Sequence, residues 1–268
     1  MKNKLLAIDL GNTTLTLGLF DNEKLHAHWR LATDHNRLQD EYGIQFMEIF
    51  RNFQIDPAQI TGIIFSSVVP PLSERISQAC LKYLKQKPVC VHHKLKLNIQ
   101  ILYDKPTSVG TDRIADAVAA KTMFGSPLCV IDFGTATTFN AINKKGEYLG
   151  GAILPGIGLS ARALYENTAK LPPVELSAPP SVIGTNTVHA IQSGIIFGYV
   201  ALVEGMVQGV LGGILAAAML YMLVKLLRIE LPGLIDVETK IYALLLVIGL
   251  VFGWLGSLTA VRRFIRYQ

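Results

Sequence analysis

The sequence predicts an α/β fold built from two similar half-domains, followed by two apolar helices that cross a membrane. The first observation is a repeat, in which an apolar strand ends in Asp-x-Gly and a threonine-rich turn, at Asp9 and again at Asp132. The second is that strand-like and helix-like segments alternate between the two copies. The third is that residues 205–268 are dominated by apolar side chains. A repeat spaced by about one small domain indicates two half-domains rather than a solenoid, whose period is ~20–50 residues.

The first half combines three opening strands with alternating helices and strands. Apolar residues at every second position predict the strands, and apolar residues three or four apart predict the helices. The predicted order is three strands within residues 4–31, a helix at 38–53, a strand at 60–71, a helix at 72–87, strands within 88–103 and a helix at 109–125. The last helix is expected to start at Thr111 or Asp112 and to stop just before Gly125.

The second half repeats the opening of the first. Residues 127–153 predict a strand, the Asp-x-Gly turn, a second strand, a glycine turn and a third strand. A connector rich in Gly and Pro follows, and then a helix at 185–206. We therefore predict a first half-domain at 1–115, an incomplete second half-domain at 116–204 and a hydrophobic hairpin at 205–268.

The two Asp-x-Gly turns predict a phosphate site. An aspartate at the mouth of a strand can hold a cation, and the glycine lets backbone N–H groups approach a phosphate closely. Hydroxyl groups of Thr13, Thr14, Thr135 and Thr138 lie beside those N–H groups. One such turn alone is as readily explained as a tight hairpin whose side chains satisfy the turn backbone. Two copies favour the duplicated actin-like/sugar-kinase (ribonuclease H-like) fold, which binds ATP in the cleft between its halves.

Composition excludes some classes of partner. Half of the chain is apolar and 17% is charged, with a net charge of +5. The part before residue 205 is close to neutral, so we expect no nucleic-acid partner. Cys80, Cys90 and Cys129 are odd in number and lack CxxC spacing, and no signal peptide opens the chain. These features predict a reduced, cytoplasmic N-terminal body.

Six ordered motifs carry a family resemblance. They are "AIDLGNTTLTLGLF", "SSVVP", "VGTDRIADAVAA", "IDFGTATTFNAI", "GGAILPGIGLSARALYENTAKLP" and "IGTNTVHAIQSGIIFGY". Over residues 5–207 the chain resembles type III pantothenate kinase, an enzyme of the first step of coenzyme A synthesis. The resemblance implies ATP-dependent phosphorylation of pantothenate to 4'-phosphopantothenate, with Mg²⁺ and a monovalent cation, K⁺ or NH₄⁺, as cofactors. It also implies a homodimer with a composite active site.

The resemblance also implies the site residues. The first ATP-phosphate loop would be Asp9, Leu10, Gly11, Asn12, Thr13, Thr14, Leu15 and Thr16, with Thr135 also contacting ATP. Asp132 would bind the monovalent cation. Pantothenate would be surrounded by Tyr103, Gly110, Thr111, Asp112 and Arg113, and by Thr187 from the other subunit. The residues alone leave open whether Arg113 touches the substrate or only braces this loop.

Asp112 is implied as the general base. A carboxylate within hydrogen-bond reach can take the proton of a primary alcohol as phosphorus–oxygen bonding develops. The alternative is that Asp112 only caps the helix that follows it. The residues alone leave both roles open, and capping does not exclude catalysis.

The tail predicts a membrane hairpin. Residues 205–224 and 241–261 contain no charged side chain, and each run is long enough to cross a bilayer core of ~30 Å. A buried core helix is the alternative. The basic "RRFIR" after the second run predicts that this end, and with it the kinase body, faces the cytoplasm.

Residues 202–268 resemble the last two spans of the FtsX cell-division permease family. The two resemblances overlap at "LVEGMV", which suggests a chimera, and the chain lacks the Thr-Gly-Gly turn with which kinases of this family complete the nucleotide pocket. Three functions therefore remain open. They are a pantothenate kinase, an inactive kinase-like domain on a membrane fragment of a permease-like protein, and a nucleotide-binding regulator.

Overall fold

A computed structural model describes residues 4–230 of the chain, with side chains described as far as residue 209. The chain divides into two compact units, Met1–Leu211 and Gly212–Gln268. Both predicted kinase halves lie in the first unit.

The first sheet has five strands in a mixed arrangement. The strands are β1 (Lys4–Leu10), β2 (Thr14–Asp21), β3 (Lys24–Ala32), β4 (Ile60–Ser67) and β5 (Val89–Cys90), in the order β3-β2-β1-β4-β5. Strand β1 pairs antiparallel with β2 and parallel with β4. In that register Asp9 lies opposite Thr16 on one side and opposite Ser66 on the other. The carboxylate near the end of β1 therefore has a hydroxyl-bearing residue on each neighbouring strand.

The first core forms where the alternating apolar residues of this sheet meet two helices. Strands β1 and β2 bury every second residue, as the alternation predicts. Helix α1 (Gln39–Asn52) buries Tyr42, Phe46 and Phe50, which are four residues apart and so lie on one helix face. Helix α2 (Pro70–Ala79) adds Leu72 and Ile76 to the same cluster. Each fully buried side chain of this size stabilises the fold by about 1.5–3 kcal/mol.

The second sheet repeats the first three strands of the first sheet. Strands β7 (Leu128–Phe133), β8 (Ala136–Ile142) and β9 (Glu147–Pro155) pair antiparallel in sequence order, and β6 (Gln100–Ile101) pairs parallel with β9. Strand β7 corresponds to β1, but within residues 4–230 no strand pairs with its other edge, where β1 has β4. The prediction of an α/β fold with mixed sheets is confirmed, and the described part of the second half has fewer strands than the first.

Helix α3 (Thr111–Phe124) links the two sheets. It contacts β4 of the first sheet and β7 and β8 of the second. The helix begins at Thr111, as predicted, and it ends before Gly125, whose φ of 79° is the left-handed conformation that favours glycine. The predicted boundary between residues 115 and 116 falls inside this helix.

Three predicted segments differ from the structure. Residues 88–103 contain only the two-residue strands β5 and β6, because a turn in which Leu95 N–H donates to the His92 carbonyl interrupts the run. The helix predicted at 72–87 begins two residues earlier, since proline suits the first helical turn, and continues after Ala79 as a π-helical turn, Cys80–Leu84. The connector contains helix α4 (Ile157–Glu166). The sequence pattern did not predict it, because Gly156 precedes the helix and Gly158 lies in its first turn.

Helix α5 (Thr187–Glu230) continues through the position where the two resemblances overlap. Its segment Thr187–Gly209 is long and apolar enough to cross a membrane, although core helices of soluble proteins have the same length and composition. The predicted first span, 205–224, lies within α5. The predicted second span, 241–261, lies outside the described residues, so the hairpin stays a prediction.

Candidate active site

A cleft of about 760 Å³ lies between the two sheets and contains most of the predicted site residues. Both Asp-x-Gly turns and the first turns of α3 line it. The predicted residues on its wall are Asp9, Gly11, Asn12, Thr13, Thr14, Thr16, Asp112, Asp132 and Thr135. The sequence repeat thus corresponds to two turns that face one shared groove.

The first turn is held in shape by the strands around it. Gly11 N–H donates to the Thr14 carbonyl at 2.9 Å, which closes the turn between β1 and β2. Thr33, just after β3, donates its hydroxyl to the Gly11 carbonyl at 2.8 Å. Neither bond uses the hydroxyl of Thr13, which points out of the turn toward Thr135.

The second turn depends on a close backbone approach. Gly134 N–H donates to the Ala136 carbonyl at 3.1 Å, and Gly156 N–H donates to the Thr135 carbonyl at 2.9 Å. A Cβ atom on Gly156 would lie 2.2 Å from the Gly134 carbonyl oxygen, far inside van der Waals contact. Only glycine therefore allows the start of α4 to support this turn.

A hydrogen bond joins the two turns across the cleft. The Thr13 and Thr135 hydroxyl oxygens are 2.9 Å apart, although the residues are far apart in sequence. This contact brings both threonine-rich turns to one point, where a group with several acceptor oxygens could bind to both.

Two residues of the predicted phosphate loop are placed elsewhere. Leu10 and Leu15 are completely buried in the first core, so their side chains do not reach the cleft. The physical reason is the alternation of the strands, which points neighbours of Asp9 and Thr16 to the opposite face. These two residues can therefore contribute to the predicted loop only through their backbone, and the role of the loop stays a prediction.

Four carboxylates share the cleft. Removal from water, and then repulsion by Asp112 and Asp132, raises the pKa of Asp9, although a hydrogen bond from Ser66 lowers it in part. Removal from water and repulsion by Asp112 raise the pKa of Asp132. Asp116 lies one turn after Asp112 on α3, and burial followed by repulsion from the other three carboxylates raises its pKa to about 6. The sequence analysis missed Asp116, although its i, i+4 spacing from Asp112 on α3 was a usable signal.

The start of α3 is fixed to the end of β4. The Thr111 hydroxyl donates to the Ser67 carbonyl at 2.9 Å and accepts from the Ser67 N–H at 2.9 Å. Asp112 Oδ1 accepts the Arg113 N–H at 2.7 Å, while the same side chain lines the cleft. The N-cap of α3 is Gly110 and no side chain makes a capping bond, so Asp112 is not the capping residue. Its second oxygen is not used by the Arg113 bond.

Arg113 and Tyr103 meet around a residue that the sequence analysis did not select, Tyr148. The Arg113 guanidinium lies over the Tyr148 ring, 5.8 Å from its centre, and the Tyr103 ring centre is 6.4 Å from that of Tyr148. Arg113 is buried, and its Nη2 atom has no hydrogen-bond partner among the described residues. A buried guanidinium with a free donor is a candidate site for an anionic group.

Thr187 lies away from the other predicted site residues. It is the first residue of α5 and lines a second cavity, of about 690 Å³, with Gly184, Asn186 and Ile191. Within one chain the structure does not bring Thr187 to the Asp112 cleft.

Metal binding by side chains alone is not supported in the described part of the chain. No group of three His, Cys, Asp or Glu side chains within it could hold a metal ion. A cation at Asp132 would need backbone carbonyls, water or phosphate oxygens as its other ligands, a donor set suited to K⁺ or Mg²⁺.

The family model and the sequence relatives match the part of the chain that carries this cleft. The family model described as Type III pantothenate kinase matches residues 5–209. The type III pantothenate kinase of Anaeromyxobacter sp. (strain K) is 50% identical over 201 residues, which are 75% of this chain and 79% of that protein. That of Brevibacillus brevis is 46% identical over 207 residues, 77% and 81% of the two chains. Among solved structures, the inorganic polyphosphate/ATP-glucomannokinase of Arthrobacter sp. strain KM is 15% identical with a TM-score of 0.34, over 56% of this chain and 62% of that one.

Proposed function

We infer that this chain, which belongs to the type III pantothenate kinase family, transfers a phosphoryl group from ATP to pantothenate, the first step of coenzyme A biosynthesis. The observation that carries the inference is that both Asp-x-Gly turns and Asp112 meet in one cleft within the matched residues. The family match does not favour an inert kinase-like body.

We further propose that the two sheets are the halves of an actin-like/sugar-kinase (ribonuclease H-like) fold, with the second half truncated. The support is the strand order of the first sheet and the repetition of its three antiparallel strands in the second. In this arrangement the nucleotide lies between the halves. Loss or alteration of the last elements of the second half would therefore weaken ATP binding more than pantothenate binding.

The ATP phosphates bind the two turns in this proposal. Backbone N–H groups of residues 9–16 and the hydroxyls of Thr13 and Thr14 hold them from the first half, and Thr135 holds them from the second. The Thr13–Thr135 hydrogen bond supports this, because it shows that both hydroxyls reach the same point. Phosphoryl transfer depends mainly on positioning and on neutralisation of charge, and two fixed loops supply the positioning.

Asp112 acts as the general base. It lines the cleft with both turns, and its Oδ1 is fixed by the Arg113 N–H. The remaining oxygen accepts the proton of the pantothenate hydroxyl as the oxygen attacks phosphorus. Gly110 and Thr111 set the position of this carboxylate rather than doing chemistry, because Thr111 is already bonded to Ser67.

Arg113 binds the carboxylate of pantothenate, and Tyr103 packs beside it. The support is the free Nη2 donor of a buried guanidinium, which an anion would satisfy. Tyr103 is held next to this arginine through the Tyr148 ring.

The cation prediction fits the charges in the cleft. Four carboxylates and a triphosphate cannot share one cleft without positive charge to offset their repulsion. Bound Mg²⁺ and K⁺ or NH₄⁺ would supply that neutralisation, with Asp132 as the protein ligand of the monovalent ion. The supporting observation is geometric, because Asp9, Asp112, Asp116 and Asp132 all line one cleft.

The proposal also includes a cytoplasmic homodimer. Thr187 lines a different cavity from Asp112 in one chain, so a contribution from Thr187 would have to come from a second subunit. Equilibrium sedimentation of the purified chain tests this, and a monomer that retains full turnover would contradict it.

The enzymatic proposal is tested by transfer of ³²P from labelled ATP to pantothenate by the full-length chain. The wild type should form phosphopantothenate, and Asp112→Asn should lower kcat by about 10²–10⁴-fold, the usual contribution of a general base. Asp56→Asn, at an exposed aspartate, is the matched control and should retain wild-type turnover. ATP binding without transfer in the wild type would instead favour a nucleotide-binding regulator.

For the tail we propose a membrane anchor derived from an FtsX-like permease. The support is the two charge-free runs and the end of the family match at residue 209, close to the predicted join. Carbonate-washed membranes should retain the full chain, whereas a chain lacking residues 205–268 should be released. If the full chain is released as well, the anchor is refuted, whatever its kinase activity. Sequencing of the source locus across codons 202–207 tests the chimera separately.

A further inference from the structure

Arg113 lies at a position that disfavours a positive charge. It lies in the first turn of α3, where the helix dipole disfavours a cation, and only 6% of its surface is exposed. Asp112, its acidic neighbour in sequence, directs Oδ1 to the Arg113 backbone N–H. The guanidinium therefore depends on neutral groups for its position.

Asn140 supplies the main neutral contact. This residue of β8 is completely buried, and its Oδ1 accepts both Arg113 Nε at 2.6 Å and the Tyr148 hydroxyl at 2.9 Å. Its Nδ2 donates to Thr138 Oγ1 at 3.1 Å, so both ends of the amide are engaged. The amide cannot rotate without breaking all three bonds.

The free edge of the guanidinium faces a position without a side chain. A Cβ atom on Gly151 of β9 would lie 2.9 Å from Arg113 Nη2, the atom that has no partner among the described residues. Asn140 accepts a hydrogen bond from the Nε edge of the Arg113 guanidinium, and the Tyr148 ring covers one of its faces. The orientation of Nη2 is therefore fixed while its N–H donors have no partner among the described residues.

We propose that Asn140 is a positioning residue for substrate recognition, because it orients Arg113 toward an anionic group without neutralising it. A carboxylate at position 140 would pair with the guanidinium, whereas an amide accepts the Nε–H and leaves the full positive charge for the ligand. This inference rests on the proposed function, in which the ligand is the carboxylate of pantothenate.

The test compares substitutions at Asn140 in the full-length chain by KM, kcat and thermal denaturation. Asn140→Leu keeps the size but removes the acceptor, and it should raise KM for pantothenate about tenfold or more, the effect of losing a hydrogen bond to a charged group. KM for ATP should stay within about twofold, since the bonds that close the two turns and join Thr13 to Thr135 do not include Asn140. Asn140→Asp keeps the acceptor but adds a charge that pairs with the guanidinium, so it should also raise KM for pantothenate about tenfold or more.

Asn143→Leu is the matched control. Asn143 also makes side-chain hydrogen bonds, donating to Glu147 and accepting from the Lys145 N–H, but it lies in the turn after β8 and makes none of the bonds that hold Arg113. It should lower the melting temperature without changing KM for pantothenate. If Asn140→Leu does not fold, Asn140→Ser takes its place with the same expected result. The serine hydroxyl is too short to reach Arg113 Nε.

Pantothenol, which has an alcohol in place of the carboxylate, provides the specific readout. The wild type should prefer pantothenate to pantothenol in kcat/KM, and Asn140→Leu should reduce that preference about tenfold. If the wild type is active and Asn140→Leu has the same KM for pantothenate and the same preference for pantothenate over pantothenol, this inference alone is overturned. A wild type that forms no phosphopantothenate overturns the proposed function and this inference with it.

Discussion

Substitution of Asp116 by asparagine should stabilise the protein at alkaline pH and not at acid pH. Asp116 lies in the cleft with three other carboxylates, and its pKa is raised to about 6 from an ordinary value of 3.8, first by burial and then by their repulsion. The raised pKa means that folding favours the neutral acid. The stabilising contribution of the neutral acid is fully present below pH 3.8 and is lost as the pH rises through 6.

The magnitude follows from that difference in pKa. At about 1.36 kcal/mol per pH unit the full effect would be ~3 kcal/mol, and the solvent that remains in contact with the side chain reduces it to roughly 1–2 kcal/mol. Asparagine has the same shape and no charge. Asp116→Asn should therefore raise the melting temperature at pH 8 by about 3–6 °C, and by close to zero at pH 4.

The assay is thermal denaturation followed by circular dichroism, at pH 4 and pH 8, in a buffer without K⁺, NH₄⁺ or divalent cations. Cations are omitted because they would offset the repulsion that the experiment measures. Asp56→Asn, outside the cleft, should show the same shift at both pH values. A gain for Asp116→Asn that is equal at both pH values, or a loss at pH 8, would refute the electrostatic reasoning.

Three further substitutions test the cleft and the core. Gly156→Ala should weaken ATP binding at least tenfold, because the added Cβ would displace the turn that carries Thr135, and isothermal titration with a non-hydrolysable ATP analogue measures it. Gly158→Ala, where a Cβ meets nothing within 4 Å, should leave that affinity unchanged and stabilise α4 by about 0.5–1 kcal/mol. Phe46→Ala should cost about 3–5 kcal/mol in urea denaturation because it empties a fully buried site, and a cost under about 1 kcal/mol would contradict the described core.

The duplicated turns could be predicted because their signal is local. Asp9 and Asp132 each follow an apolar strand and precede a glycine, and the order of residues alone shows that the pattern occurs twice. The same local signal does not show which side chains of the loop face the cleft. The alternation of β1 and β2 decides that, and it directs Leu10 and Leu15 into the core.

Asn140 and Asp116 could not be selected with the same ease because their roles depend on tertiary contacts. Asn140 belongs to the site only because β8 places it under Arg113, which comes from a different element of the chain. Asp116 matters because α3 packs between the two sheets and so carries a second carboxylate into the cleft. Helix α4 was missed for another reason. Gly156 permits a close backbone approach and Gly158 lies in the first turn of the helix, but in the sequence both resemble the glycines of a loop.

The Thr13–Thr135 contact has a consequence for how the two turns respond to a ligand. It is a single neutral bond at a solvent-exposed position, and such a bond contributes only about 0.5–1.5 kcal/mol. Breaking it leaves the hydrogen bonds that close each turn in place. A phosphate group that hydrogen-bonds to both threonine hydroxyls would therefore replace the contact at little cost.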